Sequence, residues 1–450
     1  MRVSERVARL LLGCVEALAA RPEECARSPG TDFTRNRKLG LGRLLLLLVC
    51  WGRDSAYGEL CEMAGWDGSA PSGPALTQQW AKLNDAAMPA LLRSFLSLFA
   101  PAPLMGRYRL LAADGTEWPL LPGTGGDRCR VSNGKGDGHH WELHATCAFD
   151  LLRRTFEDVV CQGGAEEDER AALCRIVDRL PRAGGLAPLW VADRGFCSWN
   201  VVCHMEDAGA SFCVRASDAW IGRLFGDELP AGEFDVRVRH CLVRTSSLSA
   251  RTFPEHPSLY SVFCGGRALD ALPPGSREER WVEVRVVRRA LPAADDGDAD
   301  GEDGGTRWLT LVTDIGADEL DAAGLAALYA MRWGEETAFA HLKHAVGLDS
   351  PRTLDYGRAV QELWGRLTLY NACSLGTSGV PEPAPGPKHG RRTDRAAAFK
   401  AFQHMLRGLV RRAAYDVEAC AARMSHSVRE GRGQPRRKRP KSPPRSCGRH

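Results

Sequence analysis

The pattern of apolar and polar positions divides the chain into two regimes. Over residues 1 to 100 apolar side chains recur at three- and four-residue steps in Val7 to Leu18, Leu39 to Cys50, Tyr57 to Met63 and Met88 to Phe99. That is the spacing of helices that bury one face. Basic residues break the pattern at Thr34-Arg-Asn-Arg-Lys38, just before the second of these helices. A further short helix, Pro74 to Leu83, carries Thr77, Gln78, Gln79 and Lys82 behind a Gly/Pro/Ser turn. A helix-turn-helix places such residues on phosphates and base edges, whereas a plain bundle leaves them solvated, and the pattern fits either.

From residue 106 the period changes to alternation. Tyr108 to Ala112, Glu142 to Phe149 and Arg154 to Val160 read as three successive strands. Glu166 to Leu180 is helical, Leu189 to Ala192 is a short buried strand, Asn200 to Asp207 is a helix and Ser211 to Arg215 a strand. Three strands followed by helix, strand, helix and strand predict an α/β fold, a mixed sheet covered by helices, in the order of a ribonuclease H-like core. Further strands such as Trp281 to Val287 predict a β-rich insertion that interrupts it. The expected organisation is a helical N-terminal domain (1–104), the core in two parts (105–216 and 315–375) around the insertion (217–314), a linker with a last helix (376–428), and a basic tail (429–450). Within the fifth segment, residues 376–396 are rich in Gly and Pro, and the last helix spans Arg395 to Cys420.

Composition narrows the class. At 450 residues, 44% hydrophobic, 26% charged and a net charge of +4, the chain has the balance of a globular protein of two or three packed units. Its longest apolar run, Leu44 to Trp51, is far short of the roughly 20 residues a bilayer requires, and MRVSERVARL is too charged for a signal peptide. A cytoplasmic protein with no membrane partner is expected. The 16 cysteines include no C-x-x-C pair, which points to reduced, mostly buried thiols. The tail from residue 429 holds nine Arg or Lys against the single acid Glu430, with four prolines, a composition that stays unfolded and adds nonspecific affinity for nucleic acid.

Candidate chemistry begins with two aspartates. Asp114 in LLAADGTEW and Asp193 in LWVADRGF each leave a predicted strand end. Taken alone, Asp-Gly and Asp-Arg-Gly are ordinary turn sequences. If the two strands are neighbours, however, the carboxylates converge on a site suited to a hard cation such as Mg²⁺. The helix predicted over LYAMRWGEETAFAHLKHAVG then places Tyr329, Arg332, Glu336 and Lys343 within one arc of about 60° at 3.6 residues per turn. Such a stripe is either a solvated face with one Arg332–Glu336 pair or a polar surface turned toward a ligand.

Together these residues resemble the DDE transposases of bacterial insertion sequences, specifically the insertion sequence 4 family. Its signature, Tyr, two residues, Arg, three residues, Glu, six residues, Lys, is met by Tyr329, Arg332, Glu336 and Lys343. Trp333, Phe339 and Leu342 agree with the surrounding pattern, as do D-G-T at Asp114, A-D-R-G-F around Asp193, FTRNRKL near the start and VQELWGRLTLYN from Val360 to Asn371. The resemblance implies that Asp114, Asp193 and Glu336 are the catalytic carboxylates and bind two divalent ions, Mg²⁺ or Mn²⁺. It implies that Tyr329, Arg332 and Lys343 contact phosphates of the transposon end. The partners it implies are double-stranded DNA, both inverted repeats and target, with a dimer in the DNA complex, and the location the bacterial nucleoid. Glu335 stands where that family carries an aliphatic residue, and at about 240° on the helical count it lies off the stripe, which leaves Glu336 as the third carboxylate.

Two other function classes fit parts of this pattern. A catalytically inactive DNA-binding remnant would inhibit transposition by occupying ends, and a ribonuclease H-like nuclease acting on branched or hybrid nucleic acid would not need the Tyr/Arg/Lys stripe. Weaker signals are read as structural or DNA-facing histidines, a solvated acidic loop and core tryptophans. His139, His140 and His144 with Glu142 match no common zinc framework. Asp296, Asp298, Asp300 and Gly301 start like a calcium loop, but Arg307 stands at the twelfth position. Trp220, Trp281 and Trp308 fit core packing better than stacking on a flipped base.

Overall fold

The computed structural model describes residues 1–52, 54–64, 70–133, 138–180, 182–243, 260–262, 279–291, 307–347, 352–381, 390–410 and 425–428. At its centre lies a ten-stranded mixed sheet. Strand β1 (Tyr108–Leu120) pairs antiparallel with β3 (His139–Asp150), whose other edge pairs with β2 (Arg130–Ser132) and β4 (Thr155–Gly163). On its opposite side β1 pairs parallel with β5 (Ala187–Ala192), and β5 parallel with β6 (Ser211–Arg215). Both faces of these strands are apolar because both are covered: Leu110 and Ala112 join one core cluster, Leu111 and Ala113 the other.

The strands assigned to the insertion continue this sheet. The order runs on from β6 to β10 (Trp308–Thr313), β9 (Glu279–Ala290), β7 (Phe234–Val243) and β8 (Tyr260–Val262). Val282, Val284 and Val286 therefore pack into the same cluster as β5 and β6 rather than forming a core of their own. The acidic segment around Asp296 lies outside the described residues, as does the basic tail from 429 onward.

Three helices cover one face: α7 (Glu169–Arg179), α8 (Trp199–Asp207) and α9 (Asp218–Phe225). Each begins behind an N-cap, Asp168, Ser198 and Ser217, whose side chain accepts a backbone N–H of the first turn. The other face is covered by a helical layer that includes α1 (Val3–Ala19), α3 (Leu41–Cys50) and α6 (Ala87–Leu96), with α2 (Pro22–Cys25), α4 (Ala56–Ala64) and α5 (Gly73–Trp80) beside them. These N-terminal helices share one apolar cluster with the sheet.

One helical expectation changes. The helix over residues 328–347 is two helices, α10 (Ala322–Ala330) and α11 (Trp333–His344), separated at Met331 and Arg332. Both residues keep right-handed helical dihedrals, so the interruption is a tightened turn. After it, α12 (Tyr356–Gly376) runs through the middle of the helical layer and takes in all of Val360 to Asn371. The last helix, α13, is described over Arg395–Val410, and residues 411–420 of its expected span lie outside the described residues. All cysteines among the described residues are free thiols, and most are buried. No helix among these residues is long and apolar enough to cross a membrane.

Candidate active site

Asp114 does not end its strand, since β1 continues to Leu120. What ends there is the parallel ladder: Ala113 opposite Ala192 is the last β1–β5 pair, and Asp114 and Asp193 are the next residue on each strand. Neighbouring strands lie about 4.8 Å apart, so the two aspartates emerge side by side just beyond the ladder. Asp193 then caps a single 3₁₀ turn, Arg194–Phe196, accepting the N–H of Gly195. Asp114 accepts the N–H of Gly115 at 2.9 Å.

Arg332 joins Glu336 to Asp114. Its guanidinium lies 3.7 Å from Asp114 Oδ2 and 3.0 Å from Glu336 Oε1, and the side chain is 7% exposed. One buried cation thus balances two carboxylates. Aromatic rings flank it, with Tyr329 at 5.8 Å and Trp333 at 5.3 Å from the guanidinium carbon. Tyr329 is itself buried, and Lys343 is half-buried in the last turn of α11. The four signature residues are therefore not one solvated stripe. Tyr329 lies in the last turn of α10, and Arg332, in the interruption before α11, reaches Asp114.

Burial and neighbouring like charges both act on Asp114. Burial pushes the Asp114 carboxyl up to about 6, with the charges of Glu169 and Asp193 adding to the rise while the Gly115 N–H and Arg332 oppose it. A cluster of hard oxygen donors that are costly to ionise together fits a divalent ion. Glu335 is different. It is fully buried and neither oxygen has a hydrogen-bond partner. Burial first, and then Asp114, hold its carboxyl well above the usual range. That is the environment of an apolar side chain.

Sequence reasoning missed Glu169, the first residue of α7, which reaches the back of β1 beside Gly115 and stands 3.8 Å from the point where a Cβ on Gly195 would lie. It sits in the acidic run Glu166 to Glu169, and in the sequence such a run looks like a solvated helix start. His144, on β3, faces the same hollow.

Residues 105–372, which enclose Asp114, Asp193 and the whole signature, match the family described as the transposase DDE domain. The chain belongs to that family. Its function is that of a transposase, and its activity that of a metal-dependent nuclease. A comparison of this transposase with curated proteins finds no match. Among solved structures it is similar to the piggyBac transposase synaptic complex with hairpin DNA, at 12% identity and a TM-score of 0.40, over 90% of this chain and 78% of the other.

Proposed function

We propose that this transposase binds the two ends of its element and carries out strand cleavage followed by strand transfer, with Asp114, Asp193 and Glu336 as ligands for two Mg²⁺ or Mn²⁺ ions. The reading rests on one observation: Asp114 and Asp193 stand at the same level, one residue beyond the last pair of the parallel β1–β5 ladder, and Arg332 ties Glu336 to Asp114. Strand order β4-β3-β1-β5-β6 supports a ribonuclease H-like core, and the complete Tyr/Arg/Glu/Lys spacing supports the insertion sequence 4 family. Bound there, the ions would activate a water or a 3′-hydroxyl and stabilise the leaving oxygen.

The protein's own part is binding and orientation. Arg332 offers a planar fork matched to a phosphate, and two aromatic rings restrict its rotation. Lys343, about 10 Å farther along the helix axis than Glu336, offers a point charge to a neighbouring phosphate. We assign end recognition to residues 1–104, where Arg35, Arg37, Lys38 and Arg43 are exposed before and within α3, and Thr77 and Gln78 on α5. Joining two ends requires two active sites, hence a dimer on DNA.

The test uses the purified full chain with Mg²⁺ or Mn²⁺ and DNA carrying the inverted repeats that flank its coding region. Asp114→Ala, Asp193→Ala and Glu336→Ala should each abolish nicking and joining while end binding persists. Activity in any of the three overturns the assignment, and loss in Glu335→Ala with activity in Glu336→Ala moves the third ligand by one residue.

A further inference from the structure

A second cluster of metal-binding side chains lies behind β1, on the face away from Asp114. His144 is buried on β3, and its ring nitrogens approach two carboxylates, Nε2 at 3.1 Å from Glu169 Oε1 and Nδ1 at 3.4 Å from Glu167 Oε1. Both are ion-pair contacts, and beyond these two glutamates neither buried nitrogen has a hydrogen-bond partner. One ligand atom from each of the three residues lies within 4.8 Å of the others.

The hollow is built by glycine. A Cβ on Gly115 would overlap Glu169 Oε1 and stand 2.7 Å from His144 Nε2. Because successive residues of a strand point to opposite faces, Asp114 faces the candidate active site while Gly115 leaves room behind it. Charge points the same way. Glu117, directly across from His144 in the β1–β3 ladder, adds a third carboxylate to this face.

We propose that His144, Glu167 and Glu169 form a second metal site, distinct from the catalytic carboxylates, for a transition-metal dication such as Zn²⁺ or Mn²⁺. One imidazole and two carboxylates are a three-ligand set that suits a borderline cation and leaves a position for water. Mg²⁺, which favours oxygen donors, is the poorer fit. The ion would tie β3 to the start of α7, and so hold Glu169 beneath the glycines that follow Asp114 and Asp193. This site does not depend on the catalytic assignment.

The test removes the catalytic ligands first. Full-length protein carrying Asp114→Asn, Asp193→Asn and Glu336→Gln, stripped with chelator, is titrated with Co²⁺ and with Zn²⁺. It should bind about one equivalent with an imidazole nitrogen in the coordination shell, seen by X-ray absorption. Adding His144→Ala should remove that nitrogen, and adding Glu167→Gln, a largely exposed change that spares the fold, should weaken binding at least about tenfold. No bound metal in the parent variant, which means a His144–glutamate ion pair only, overturns the proposal. So does a nitrogen signal that survives His144→Ala, or an affinity unchanged by Glu167→Gln.

Discussion

Glu335 and Glu336 are adjacent in sequence and opposite in circumstance. Glu336 shares a guanidinium with Asp114, whereas Glu335 is fully buried with two unpartnered oxygens. A buried polar group left without a hydrogen bond costs about 1–3 kcal/mol. Glu335→Leu should therefore raise stability by roughly that amount in urea denaturation and leave end cleavage intact; a loss of stability would mean that the carboxyl has a partner which the structure does not show. Lys343 is the complementary case, a half-buried cation at the end of the same helix. If it grips a phosphate, Lys343→Ala lowers single-turnover cleavage and shortens the life of the DNA complex at saturating Mg²⁺, and Lys343→Arg restores only part, because a fork replaces a point charge. Equal rates and lifetimes in wild type and Lys343→Ala would make it a surface lysine.

The same contrast explains what could be read in advance among the elements. The strands, and α7 and α8, were legible because the period changes to alternation over β1, β3 and β4, because β5 is a short apolar run, and because Asp168 and Ser198 are ordinary N-caps. The interruption between α10 and α11 was not legible, since Met331 and Arg332 keep helical dihedrals and differ from their neighbours only in a tighter turn, with Arg332 donating its N–H to the Tyr329 carbonyl. Nor was the extent of β1, whose D-G-T reads as a turn but is held extended by β3 through Gly115–Thr146 and Thr116–Ala145. The His144–Glu167–Glu169 cluster joins residues from different elements, which no local spacing reveals. One element-level prediction follows from α12. A Cβ on Gly365 would press into the Leu48 carbonyl of α3, which no rotamer can relieve. Gly365→Ala should cost about 1–3 kcal/mol of overpacking in a urea titration, outweighing the helix propensity of roughly 1 kcal/mol that alanine brings. A stabilised variant would show that α3 and α12 are less tightly packed than this.

At the scale of the whole molecule, runs of basic residues stand near both ends of the sequence. The N-terminal helices share one apolar cluster with the sheet that carries the carboxylates, so a base read by this layer has a fixed relation to the cleavage site. The tail beyond residue 428 has charge without apolar residues to order it, and charge alone cannot distinguish one sequence from another. Phosphate contacts release counterions whatever the bases are, and each contributes to the slope of affinity against salt. Deleting residues 429–450 should therefore weaken binding to transposon ends and to random DNA by the same factor and flatten both salt dependences, with the ratio of the two affinities unchanged. Fluorescence anisotropy with both DNAs at several salt concentrations measures all three quantities. If the deletion instead erased the preference for the ends, sequence reading would belong to the tail, and the exposed Thr77 and Gln78 on α5 would lose the role assigned to them.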